Sequence, residues 1–128
     1  MSQQAIRGAL QTRLATLGWA NQTAWEGVAF TPVAGQPYQE VTTGFGEPDA
    51  ITLAHSDVLK GVFQVRLLYP PGQGTAAPDI RAKAVADAFP RNLSLGGVAK
   101  IIRSAHVTSG GKQGDRDVTV IRIRFSDR

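Results

Sequence analysis

No cysteine occurs among the 128 residues, which excludes disulfide staples, thiolate metal sites and cysteine nucleophiles together. The fold must hold itself by packing. No stretch approaches the roughly 20 consecutive apolar residues of a membrane-spanning helix, and "MSQQAIRGALQTRLATLGW" lacks the basic lead and unbroken apolar core of a signal peptide. A soluble, unexported protein with no membrane partner is expected. Histidine is nearly as scarce, since only His55 and His106 occur. His55 and Asp57 form a His-x-Asp pair, yet the one other histidine sits in a different element, so a solvated loop pair is favoured over a metal site. No serine lies in a Gly-x-Ser-x-Gly elbow, and no carboxylate pair is marked out by its spacing. No catalytic residue, metal or cofactor is therefore assigned, and a non-enzymatic protein is expected.

What the chain does have is 42% hydrophobic residues, enough for one ordinary core and one domain spanning 1–128. No repeat, low-complexity tract or linker divides it. Charge is unevenly placed: through Pro90 there are six Lys/Arg against seven Asp/Glu, and from Arg91 onward eight against three. A basic C-terminal part suits nucleic acid, an acidic protein surface, or head-to-tail contact between copies of the same chain.

Ile6, Leu10, Leu14 and Leu17 recur at spacings of three and four, predicting an amphipathic helix over 3–17 that Gly18 ends. "WANQTAWEGVAFTPVAGQPYQE" is too rich in Gly, Pro and Asn for a long regular element. Its aromatics Trp19, Trp25, Phe30 and Tyr38 are expected to pin it to a sheet. A first strand is read over 38–45 and a second over 61–69, where Phe63, Val65, Leu67 and Tyr69 alternate with Val62, Gln64, Arg66 and Leu68. Between them "GEPDAITLAHSDVLK" is longer than a hairpin requires, which marks it as a contact element. A second helix follows, with Ile80, Ala84, Val85, Ala88 and Phe89 as its apolar side and Pro90 as its stop. "GGVAKIIRSAHVTS" and "DVTVIRIRF" then read as two strands joined by the turn-rich "GGKQGDR". The expectation is an α+β fold of order α-β-β-α-β-β, a mainly antiparallel or mixed four-stranded sheet carrying two helices.

"LLYPPGQGTAAPDI" holds Gly72, Gly74 and Ala77 in the spacing of a dinucleotide-binding turn. Pro78 directly after the motif and the absence of any acid between Asp87 and Asp115 favour a structural turn instead. "SGGKQGD" resembles a phosphate loop as weakly, with Gln113 where Ser or Thr belongs and His106 in place of the first glycine. Arg122 and Arg124 share one strand face, matched by Gln64 and Arg66 on another, so a basic patch can form there. The strand aromatics Phe63, Tyr69 and Phe125 fall on the opposite face, away from any base-stacking role. Such a patch is either solvated or buried against a neighbour whose Glu47, Asp49 or Asp57 pairs with its arginines.

"TAWEGVAFTPVAGQPYQEV", "GVFQVRLLYPPGQGTAAPDIRAKAVADAFPRN" and "GGVAKI" together resemble the tail terminator-like proteins of tailed phages and prophages, a likeness covering residues 6–102. Its most specific parts are the aromatic and proline pattern of Trp25, Phe30, Pro32, Pro37 and Tyr38 and the block from Phe63 to Pro90. The resemblance implies a small subunit, similar in fold to the lambda-type tail terminator, that forms a ring, usually hexameric, on the tail tube. It would be made in the host cytoplasm and reside in the virion tail. Such a ring stops tube polymerisation and offers a surface to a head-completion or connector protein, with DNA only as passing cargo. The implied partners are further copies of the chain, the tail-tube protein and the head-joining protein. The candidate interface residues are Glu47, Asp49, His55, Asp57 and Lys60 of the long loop, Lys112 and Arg116 near the predicted hairpin tip, and Arg66, Arg122 and Arg124 of the sheet. A nucleic-acid-binding module and another head-tail joining protein are the alternative readings.

Overall fold

The computed structural model describes residues 3–45, 49–50, 57–58, 60–72, 74 and 76–126. Helix α1 (Gln3–Ala15) buries Ile6, Leu10 and Leu14, one stripe of the predicted periodicity. It stops two residues short of the expected end, where Leu17 and Gly18 turn back onto the Leu14 and Ala15 carbonyls and Gly18 takes a φ of 84°. A short 3-10 turn (Ala20–Gln22) and a two-residue strand β1 (Thr23–Ala24) punctuate the otherwise irregular segment that follows.

Strand β2 (Tyr38–Phe45) has the predicted bounds, and β3 (Asp49–Ala50) pairs antiparallel with β4 (Asp57–Val58). The long loop therefore carries a small hairpin of its own. Next come β5 (Lys60–Tyr69), α2 (Ala76–Ala88), β6 (Ser94–Leu95), β7 (Ala99–Ile101), β8 (His106–Gln113) and β9 (Arg116–Ser126). Among the described residues the main sheet has seven strands, running β1-β2-β5-β9-β7-β6 with β8 also paired to β9. Only β1 joins in parallel, so the sheet is mixed.

The fold is thus α+β with two helices, but the four-stranded expectation is corrected. The long strand predicted from "GGVAKIIRSAHVTS" breaks into β7 and β8, with 102–105 looping out between them while both halves line the same edge of β9. The turn lies within the predicted "GGKQGDR" but is shorter than that segment. Gly110 and Gly111 lie inside β8 at a shift of register between Thr108 and Gly111, and the turn itself is Gly114-Asp115 between paired Gln113 and Arg116. A φ of 64° at Gly114 suits the first central position of a type II′ turn.

Both helices cover one sheet face, where Phe63, Val65, Leu67, Ile121, Ile123 and Phe125 pack against α1 and against Ala82, Val85 and Phe89. In α2 the buried stripe is Pro78, Ala82 and Val85, continued by Phe89 just past the helix end, while Ile80 is 72% exposed, contrary to its predicted place on the apolar side. Alanines at 76, 77, 82, 84, 86 and 88 blur the period, so the true stripe was not separable from its neighbour. Pro78 lies in the helix's first turn, where its missing N–H leaves no intrahelical bond unmade. Arg13 donates from Nε to the Ala88 carbonyl, capping the end of α2 from α1.

Candidate interaction surface

The opposite sheet face divides into two halves. At one end Tyr38, Leu68 and Val118 align across β2, β5 and β9, and Phe30 and Val120 pack on them to form a second small core. The Phe30 and Tyr38 rings lie 5.2 Å apart, so the irregular segment covers this half as its aromatics led one to expect. Trp19 and Trp25 go to the helix side instead. The segment therefore passes around the β1 edge and grips the sheet from both sides.

The polar middle of this face is self-satisfied. Glu40, Arg66 and Val120 are ladder neighbours, and Arg66 donates to Gln113 Oε1 while standing 3.8 Å from Glu40. Gln113 in turn donates to Glu40 Oε1 at 3.1 Å. Arg116 donates to the Gln36 and Val33 carbonyls at 2.6 and 3.1 Å, and Lys112 lies 3.8 Å from Asp117, its cross-strand partner. Arg66, Arg116 and Lys112, all interface candidates from sequence, thus hold contacts within the chain.

The remaining end is basic. Thr42, Gln64, Arg122 and His106 form one cross-strand row, and Gly44, Val62 and Arg124 the next. Arg122 Nε donates to Gln64 Oε1 at 3.2 Å, which fixes the guanidinium plane and leaves its Nη groups available. The 102–105 excursion raises Arg103 and Ser104 beside them, and the result is a hollow of about 490 Å³ lined by Arg103, Ser104, His106, Arg122 and Arg124. A second hollow of about 430 Å³ adjoins it, sharing Arg103 and Arg124 and adding Phe45, Val62, Ile102 and Lys60. Among the described residues, no carboxylate lies within ion-pairing distance of Arg103, Arg122 or Arg124.

Of the loop candidates, Asp49 and Asp57 belong to the small hairpin, and Glu47 and His55 lie outside the described residues. The structure brings Lys60, Arg122 and Arg124 to one end of the sheet and leaves Arg66, Lys112 and Arg116 apart from them. Sequence reasoning missed Arg103, Ser104 and His106 as members of the same surface. The available signal was "IRS" interrupting an otherwise apolar and β-branched strand. Among the described residues no three metal-ligating side chains converge, and no helix is long and apolar enough to cross a membrane.

A family profile described as phage tail terminator protein matches residues 5–125. One solved structure, 28% identical, superposes with a TM-score of 0.75 over 98% of this chain and 95% of its own. No curated protein matches.

Proposed function

Because the chain belongs to the phage tail terminator family and so serves phage tail assembly, we propose that it closes into a ring, hexameric on the tail, at the end of the tail tube. The ring halts tube polymerisation and presents the surface to which the head-completion or connector protein joins, and DNA passes through as cargo. The observation that carries this reading is the family match across residues 5–125, nearly the full chain. Its mechanism needs no bond chemistry. A heterologous contact sets the acidic long loop of one subunit against the basic C-terminal part of the next, and rotation about an axis closes the set. Closure satisfies every such surface at once, so no further subunit is accepted.

Mass measurement across concentration, with and without tail-tube subunits, tests the proposal. The expected result is a closed oligomer on tube ends, with tube length capped in proportion to added protein. A chain that stays monomeric in both settings and leaves tube growth unchanged contradicts it.

A nucleic-acid-binding role is the second reading, favoured by the cluster of Arg103, Arg122 and Arg124 at one end of the sheet. It requires salt-sensitive DNA retention that disappears in an Arg122→Ala/Arg124→Ala variant. Absence of retention at low salt removes it.

A further inference from the structure

We propose that Ile80 of one copy of this chain seats in the groove between α1 and the β6–β7 hairpin of a second copy, joining successive copies head to tail. The inference deepens the ring reading and rests on it for the number of copies. Every residue it uses belongs to the described part of the chain.

The groove has a volume of about 450 Å³. Leu95 and Val98 of the hairpin line it opposite Gly8 and Thr12, which stand one turn apart on α1, and Arg13 and Ser94 line it as well. Gly8 has no use inside the subunit. Glycine is, after proline, the least favourable residue in a helix interior, yet this one takes no left-handed conformation, and a Cβ on it would meet nothing within 4 Å. Neither the helix nor its packing within the chain requires a glycine there. A missing side chain at that point supplies depth, which lets another surface approach the α1 backbone.

The same chain carries a knob for this groove. Ile80, at 72%, is the most exposed large hydrophobic among the described residues, and the other three, Val28, Val33 and Val107, are shorter and lie outside the helices. Ala76 and Ala84 stand one turn to either side of it, so no larger apolar side chain flanks it along that face. Ile80 does not reach the groove of its own chain. Arg13, which lines that groove, caps Ala88, about two turns or 12 Å of helix beyond Ile80.

Charge agrees with shape. Arg13 gives Nε to the Ala88 carbonyl and keeps its Nη groups for an acceptor, in a lining that holds no other charged side chain. Beside the knob, Lys83 and Asp87 neutralise each other, whereas Asp79 makes no ion pair among the described residues. A knob flanked by a carboxylate thus meets a groove flanked by a guanidinium. Because knob and groove lie on different surfaces of one chain, their contact is heterologous, the kind that closes into a ring.

Cross-linking tests the contact, since the protein has no cysteine to interfere. A Ser94→Cys chain and an Ala84→Cys chain are mixed in equal amounts with a short bis-maleimide, with and without tail-tube subunits, and are expected to give a dimer that neither gives alone. Ile80→Asp added to the Ala84→Cys chain should lower its yield by about tenfold or more, the effect of losing one buried isoleucine. Asp79→Lys on that chain should lower it as well, by setting like charges against each other. Gly8→Leu added to the Ser94→Cys chain fills the groove and should match the Ile80→Asp loss. Neither Ile80→Asp nor Gly8→Leu touches the core, and leucine is the better helix former at position 8, so both variants should melt no lower than the parent. That separates a lost contact from a lost fold. No dimer in either setting, or a yield indifferent to Ile80→Asp or to Gly8→Leu, overturns the proposal, as do cross-links from the Ser94→Cys chain that run to the tail-tube subunit instead. Rings on tube ends without this cross-link would sink the knob contact and leave the terminator reading standing. The cross-link without any effect on tube growth would support the contact and remove that reading.

Discussion

The Arg116 guanidinium stands 4.9 Å from the centroid of the Tyr38 ring while donating to the Val33 and Gln36 carbonyls. One side chain at the start of β9 thus clasps the loop that covers half of the open sheet face. The cation over the ring and the charge-assisted bonds, discounted for partial exposure, together stabilise by about 1–2 kcal/mol. Arg116→Ala should lower unfolding free energy by that amount in a denaturant titration. Arg116→Lys keeps the charge but cannot span two carbonyls, so it should recover less than half. A lysine variant as stable as the parent contradicts the clasp.

Gly61 is a steric necessity at the base of the long hairpin. A Cβ there would collide with the Gly44 carbonyl oxygen and lie 2.6 Å from Phe125 Cζ. The first obstacle is backbone inside the β2–β5 ladder and cannot swing away, so Gly61→Ala should cost about 1–3 kcal/mol through overpacking. Across the ladder, Gly44→Ala meets its nearest atom at 4.0 Å and should change stability by no more than about 0.5 kcal/mol. Thermal melts of the two variants, side by side, decide the point.

How much of this was legible depends on whether a signal was local. The alternation in 61–69 and the Ile6, Leu10, Leu14 spacing report burial directly, and both elements stand within two residues of expectation. Gly110 and Gly111 were misleading because glycine composition does not distinguish a turn from a register shift inside a strand. The break at 102–105 escaped for a related reason: β7 and β8 pair with one strand, so nothing local announces extra residues between them. That break is what lifts Arg103 and Ser104 into the basic hollow. Arg66 and Arg116 looked available because their partners, Glu40, Gln113, Gln36 and Val33, come from distant parts of the chain.

Buried polar order supplies another test. Gln39, fully buried, accepts from Arg81 at 3.2 Å and donates to Thr23 Oγ1 at 2.9 Å, and Thr23 donates to the Trp19 carbonyl at 2.6 Å. Arg81 also donates to the Leu17 carbonyl at 2.9 Å and lies 4.3 Å over the Trp19 ring. This network ties α2 to β1, to β2 and to the end of α1, and it accounts for Trp19 being held at a φ of 67°. Gln39→Leu should therefore destabilise by about 1–3 kcal/mol despite its apolar gain, because the Arg81 guanidinium loses an acceptor and the Thr23 hydroxyl oxygen loses a donor. Combined with Arg81→Met, the total should differ from the sum of the singles by at least about 0.5 kcal/mol. Strict additivity would show that the two residues act apart.

Alkaline pH should expose the two tyrosines. Burial raises the Tyr69 phenol above its ordinary value of 10.0, partly offset by the Arg81 charge. Burial and then the Glu40 charge raise Tyr38, with Arg116 and Arg66 opposing. A phenol that holds its proton more tightly when folded contributes stability that is complete below the unfolded value of about pH 10 and is lost as pH rises through the folded value. From these groups, melting temperature should be flat between neutrality and about pH 9.5 and fall beyond about pH 10. Tyr69→Phe keeps the packing against Trp19, whose ring is 5.9 Å away, and gives up one long bond of 3.4 Å to the Ala77 carbonyl. It should therefore flatten the alkaline limb with little change at neutral pH. Because the chain has only these two tyrosines, tyrosinate absorbance reads their ionisation without background. Ionisation complete well before the unfolding signal moves would mean that the phenols are not held protonated by the fold.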